Sequence, residues 1–274
     1  MESGWQRTVL TSLCVVACVL LGLLASRFVG GAYGEPAPAI LDAMRPTAAA
    51  VAVLVCLGAA VALAMSIARP INPVVALFAA GCGVAAFAMR CGNVNMAVFA
   101  DGQFRWLGAE TLGWGVFVAA ASLLAWRVGG ALPDVPWPDP QASLMRSVSR
   151  RKSLTMLLAA VLAPAVVAFT LVGPSKGQAI GACTLAGVAV AFGARLLAPR
   201  EQPVLVFAAP VLVLGAVQLV MAGAMGAGLD RAFATGALPS LLAAMPADIA
   251  AGSLCGVAIG LGWSKGLVKP AESA

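Results

Sequence analysis

The chain has 274 residues, of which 61% are hydrophobic and 10% charged, with a formal net charge of +6 and a mean hydropathy of +0.97. Soluble domains average about 45–50% apolar and about 25% charged residues. This composition therefore excludes a soluble globular domain, a disordered chain, a collagen and a disulfide scaffold, and leaves a protein that spans a bilayer several times.

A crossing helix needs about 20 mostly apolar residues. Eight runs fit: Thr8–Val29, Pro46–Ala68, Pro73–Arg90, Glu110–Val128, Ser153–Val172, Gln178–Ala198, Pro203–Ala224 and Asp248–Lys265. The first is longer than the ~7–15-residue core of a secretory signal, and it reads as a retained helix. Two further stretches are poorer spans. Asn93–Leu107 carries Asp101, Gln103 and Arg105, and Gly228–Pro246 carries Asp230, Arg231 and two prolines. Both read as loops or short interfacial helices, with Phe99, Phe104, Trp106 and Phe233 as membrane anchors. Pro164 and Pro210 are expected to break the fifth and seventh helices.

The longest polar stretch runs from Gly129 to Lys152. Its four prolines make the first part stiff and non-helical. It ends in Arg146, Arg150, Arg151 and Lys152, a basic cluster that serves either as a topological stop or as a contact for anionic lipid headgroups. The stretch divides the chain into 1–129, a first four-helix half; 130–152, the loop; and 153–274, a second four-helix half.

The halves look related. Ala64-x3-Ala68-x4-Pro73-Val74 aligns with Ala194-x3-Ala198-x4-Pro203-Val204, and Asn72 then matches Gln202. Ala109-Glu110 at the start of the fourth run matches Ala247-Asp248 at the start of the eighth, and the two runs end in Trp126-Arg127 and Trp263-Ser264-Lys265. An even number of helices per half makes this a parallel repeat about an axis along the membrane normal, an arrangement found in transporters. The expected fold is thus all-α and polytopic, with about eight transmembrane helices in two parallel-related halves.

With the N-terminus in the cytoplasm, eleven of the 17 Lys and Arg residues fall on the cytoplasmic side and six on the outer side. The positive-inside rule then favours both termini inside, in a bacterial cytoplasmic (inner) membrane. The net positive charge reads as orientation and lipid contact, with no nucleic acid implied.

Few residues are left to carry chemistry. There is no histidine, which removes His-ligated haem, most zinc and copper enzymes and every Ser-His-Asp or Cys-His mechanism. Seven cysteines contain no CxxC pair, so no metal or cofactor is called for. Glu110 and Asp248 occupy matching helix starts. A carboxylate there either caps the helix or, facing its counterpart, lines an outer vestibule that contacts an ion or solute. Gln218 is the one strongly polar side chain deep in a helix, and it reads as an interhelical hydrogen bond or a ligand contact. Arg90, Asn93, Asn95, Asp101 and Arg105 form an outer polar loop, either a recognition mouth or an ordinary solvated loop. Arg195, near a helix end, is expected to snorkel to the interface. Gly252, Gly256 and Gly260 put overlapping GxxxG patterns on one face of the eighth helix, for close packing within the chain or against a second copy or partner subunit. Gly177-x3-Gly181 is a weaker example.

These features favour a transporter or permease-like protein for a neutral or lipid-like small solute, because the helices hold too few ionisable groups for a strongly charged cargo. The alternative is a non-catalytic subunit or assembly scaffold packing through its glycine faces. The absence of a nucleophile–base pair leaves little for an enzyme.

Overall fold

The computed structural model describes residues 4–31, 34–99, 104–135, 151–173 and 175–267. Within them the protein is all-α, with two isolated bridges and no strand. The helices are α1 (Gly4–Ser26), α2 (Pro46–Ala68), α3 (Pro73–Ala88), α4 (Val94–Phe99), α5 (Phe104–Gly129), α6 (Arg151–Leu157), α7 (Leu162–Thr170), α8 (Lys176–Leu197), α9 (Ala209–Met225), α10 (Leu229–Ala234), α11 (Ser240–Ala243) and α12 (Pro246–Trp263). Six helical segments are long and apolar enough to cross a membrane: Gly4–Ser26, Pro46–Ala68, Trp106–Gly129, Lys176–Leu197, Leu205–Met225 and Pro246–Gly266. Two shorter apolar ones, Pro73–Ala88 and Leu154–Thr170, fall below that length. The architecture is that of a membrane protein.

Local chemistry explains several boundaries. Pro46, Pro73 and Pro246 each stand in the first turn of their helix, where the missing N–H is not needed. Asn72 accepts the Val75 amide at 2.8 Å and caps α3. Pro164 lacks a donor and crowds the carbonyl of Ala160, so Leu158–Val161 tightens into a 3-10 turn that separates α6 from α7. Pro210 behaves differently from expectation. It lies in the first turn of α9, after a 3-10 turn at Leu205–Phe207, and starts that helix instead of breaking it.

One other expectation is corrected. The fourth apolar run begins at Phe104, not Glu110, because the added turns pack on α9: a methyl group on Gly108 would stand 2.8 Å from Leu219. Asn93–Leu107 is therefore split between the short α4 and the start of α5. Gly228–Pro246 contains the short helices α10 and α11.

Close helix contacts are made by glycine. The most extensive pairing is α8 with α12. There Gly252, Gly256 and Gly260 lie against Cys183, Thr184, Val188 and Ala191 so tightly that a methyl group on Gly252 would stand 2.4 Å from the Cys183 side chain. Gly22 of α1 meets Gly83 of α3, and Gly81 of α3 meets Leu254 and Cys255 of α12. Along α5 and α9, Gly115 receives Leu212 and Gly215 receives Leu112. The α12 segment is the centre of the bundle, with 78% of its most apolar window buried, against 22% for α1.

Candidate functional site

The end of the bundle bearing residues 27–45 is termed distal here, and the end at which α1 begins is termed proximal. At the distal end the 27–45 loop folds back over the helices. The Ala37 amide donates to the Val29 carbonyl at 3.2 Å, and the Met44 amide to the Gly30 carbonyl at 2.9 Å. The Gly92 amide, just after α3, donates to the Ala37 carbonyl at 2.9 Å. Only glycine fits there, since a methyl group would come 2.5 Å from the Pro36 carbonyl oxygen.

Glu110 fastens this loop to α5. Its Oε1 accepts the Ile40 amide at 3.1 Å and the Trp114 indole N–H at 3.3 Å, and its Oε2 accepts the Leu41 amide at 3.0 Å. Because α5 starts at Phe104, Glu110 does not cap it. Beneath the fastened loop lies a cleft of about 380 Å³ between α2 and α5. Ile40 and Leu41 form its roof; Val53, Leu54 and Leu57 form one wall; Trp106, Gly113, Trp114 and Phe117 form the other. Among the described residues, Glu110 is its one charged lining residue. The volume is within the ~300–1,000 Å³ of small-molecule sites. Gly113 faces open space, with nothing within 4 Å of where a methyl group would be.

Asp248 is placed differently. It stands in the first turn of α12, where its Oδ2 accepts the Met245 amide at 3.2 Å and its Oδ1 pairs with the Lys176 ammonium at 2.8 Å. It does not line the cleft. Cys91 lies within electrostatic reach of Glu110, Asp248 and Lys176, and burial pushes its thiol up to about 12. It is therefore a protonated, unreactive thiol at neutral pH. Asp42, in the 27–45 loop, has a buried Oδ2 without a hydrogen-bond partner among the described residues, and burial raises its carboxyl above the ordinary aspartate range.

Gln218 is buried in α9 and fully engaged. Its Oε1 accepts the Thr111 hydroxyl of α5 at 2.7 Å, and its Nε2 donates to the carbonyls of Leu241 at 3.0 Å and Ala244 at 2.8 Å. It thus ties α5 and α9 to the segment around α11.

The outer polar loop is dispersed. Arg90 is exposed, Asn95 is half-buried, and Asn93 accepts the Met96 amide at 3.4 Å at the start of α4. Asp101 lies outside the described residues, as does the side chain of Arg105. Of the basic cluster, Arg146 and Arg150 lie outside the described residues, as does the side chain of Lys152, and Arg151 is exposed at the start of α6.

At the proximal end Arg195 does not snorkel. It is 1% exposed and pairs through Nη2 with Asp134 at 2.9 Å, drawn inward because Asp134 in the inter-half loop reaches it. Gln202 holds the same loop: it accepts the Trp126 indole N–H at 2.9 Å and the Leu132 amide at 3.2 Å, and donates to the Val135 carbonyl. Among the described residues, no three His, Cys, Asp or Glu side chains are grouped to hold a metal.

Sequence reasoning singled out Glu110 but not its partners. The Glu110–Trp114 spacing of four, one helical turn, was the available signal. Trp106 read only as a membrane anchor, and Lys176 was not connected with Asp248. Comparison with protein-family models, curated proteins and solved structures finds no match for this chain.

Proposed function

We propose that this membrane protein is a transporter or permease-like protein for a neutral or lipid-like small solute, which enters laterally through the cleft between α2 and α5. The observation that carries this reading is the cleft itself: about 380 Å³, walled by aliphatic and aromatic side chains, with one charged group, Glu110, among the described residues that line it. A bilayer-facing site of this kind suits a solute already dissolved in lipid.

Three further parts of the reading go with it. All eight apolar segments cross the bilayer, with both termini and the basic cluster at 146–152 at the cytoplasmic, anionic-lipid face. The chain is a fused pair of four-helix units; the pairings across the units, α3 with α12 and α5 with α9, exchange under the expected two-fold axis, with α5 and α12 meeting on it. The distal end, with the cleft, faces outward.

The test fills the cleft without disturbing packing. Gly113→Leu projects into open space. In vesicles containing the full chain, the native protein should accelerate transbilayer movement of a fluorescent single-chain amphiphile, and Gly113→Leu should abolish the acceleration. Equal movement with the two proteins would overturn the reading. No movement with either would leave the scaffold role as the better description.

A further inference from the structure

If the cleft is the solute site, Glu110 beneath its roof also defines what head the solute carries. We infer that it takes chain amphiphiles whose head donates a hydrogen bond, a hydroxyl or an ammonium, and rejects those with a carboxylate head. This rests on the reading of the cleft given above and names the class of solute it holds.

The argument is an accounting of donors and acceptors at Glu110. An ionised carboxylate is acceptor-only and offers about four lone-pair sites. Three are occupied, by the Ile40 amide, the Leu41 amide and the Trp114 indole. Among the described residues one remains, on a group that lines the cleft. The three donors that reach Glu110 are spent on it, so they have nothing to give an anionic head. Among the described residues no cation lines the cleft; Arg45, before the first turn of α2, is exposed and makes no capping bond. A carboxylate head would meet Glu110 across low-dielectric walls, where like charges repel strongly. A hydroxyl or ammonium would complete the fourth site with a charge-assisted hydrogen bond. Below the head, α5 from Glu110 to Phe117 and α2 from Ala50 to Leu57 give the chain roughly 10 Å of apolar wall.

Trp106 and Trp114 line the cleft and report on it directly. The purified full chain is titrated with a chain-brominated dodecanol, whose bromines quench nearby indoles, and the assignment is made with the Trp106→Phe and Trp114→Phe variants. The bromo-alcohol is then displaced at pH 8 by dodecanol, dodecylamine, sodium dodecanoate or methyl dodecanoate. Dodecanol and dodecylamine should displace it at about tenfold lower concentration than dodecanoate, the difference expected for one hydrogen bond to a charged group. Methyl dodecanoate, neutral but without a donor, should also be weaker than dodecanol. In Glu110→Gln the preference against dodecanoate should collapse. Equal displacement by dodecanol and dodecanoate, or by dodecanol and its methyl ester, overturns the inference while leaving the cleft as a binding site. Absence of quenching at Trp106 and Trp114 by the bromo-alcohol overturns the cleft reading itself.

Discussion

Thr111 of α5 and Gln218 of α9 meet at 2.7 Å, hydroxyl to side-chain carbonyl, and this bond joins helices from opposite sides of the central loop. The other end of Gln218 supports two backbone carbonyls, those of Leu241 and Ala244. Interhelical hydrogen bonds in membranes average about 0.6 kcal/mol and reach about 1.7 kcal/mol. Gln218→Leu should therefore cost about 2 kcal/mol, summed over its three bonds, and Thr111→Val about half of that. Thermal unfolding midpoints of the two variants in the same detergent check the ranking; a Gln218→Leu protein as stable as the native one would refute a structural role.

The glycines of α12 and α8 differ in what surrounds them, although the sequence patterns look alike. A methyl group at Gly256 would stand 2.1 Å from the Thr184 carbonyl oxygen, and the obstacle is backbone. Gly256→Ala must push α8 and α12 apart, at about 3 kcal/mol. Gly177 and Gly181 have nothing within 4 Å. Gly181→Ala should be neutral or slightly stabilising, through helix propensity. Folded yield and unfolding midpoint for the pair of variants make the comparison.

The pair formed by Arg195 and Asp134 gives a third test. Arg195 is 1% exposed, and its Nε and Nη1 have no hydrogen-bond partner among the described residues. Removing Asp134 leaves a buried guanidinium uncompensated. A fully buried pair loses about 3–5 kcal/mol in that situation; Asp134 keeps 20% exposure, so Asp134→Ala should lose about 2–3 kcal/mol. Arg195→Met combined with Asp134→Ala should recover most of the loss. A double variant as unstable as the single one would show that the cost comes from the loop and not from the charge.

Asp42 predicts a pH dependence. Its carboxyl is raised above the ordinary range by burial, so the folded state holds the proton more tightly than the unfolded state. The stability it contributes is complete below the unfolded aspartate value of about 3.9 and is lost as pH rises through the raised folded value. Asp42→Asn removes this slope. The variant should gain stability relative to the native protein at pH 8 and match it near pH 4, as read from unfolding midpoints at the two values.

The helices were legible because membrane spans are set by length and composition. Pro46–Ala68 came out with both ends as expected, since proline fixes its start and apolar content fixes its extent. Phe104 as the start of α5 was not legible, because Arg105 interrupts the apolar run before Glu110 and the added residues are held by Gly108 against Leu219, a contact more than a hundred residues away in the chain. The same holds for the site. Glu110 stood out as a carboxylate at a helix start, but a sequence pattern contains no record of which amides will fold down onto it.

The sequence by itself determined the long apolar segments that suit a bilayer and the scarcity of ionisable residues within them, since these depend on what residues are present and in what order. Only the tertiary structure decided whether each polar residue is free or occupied. Gln218 reads in sequence as an interhelical bond or ligand contact, Asp248 as a helix cap or vestibule residue and Arg195 as a snorkelling cation, and the fold gives all three partners within the protein. Glu110 is different: the fold gave it three donors and also an open apolar cleft beside them, and that combination arises from the return of the 27–45 loop over α2 and α5.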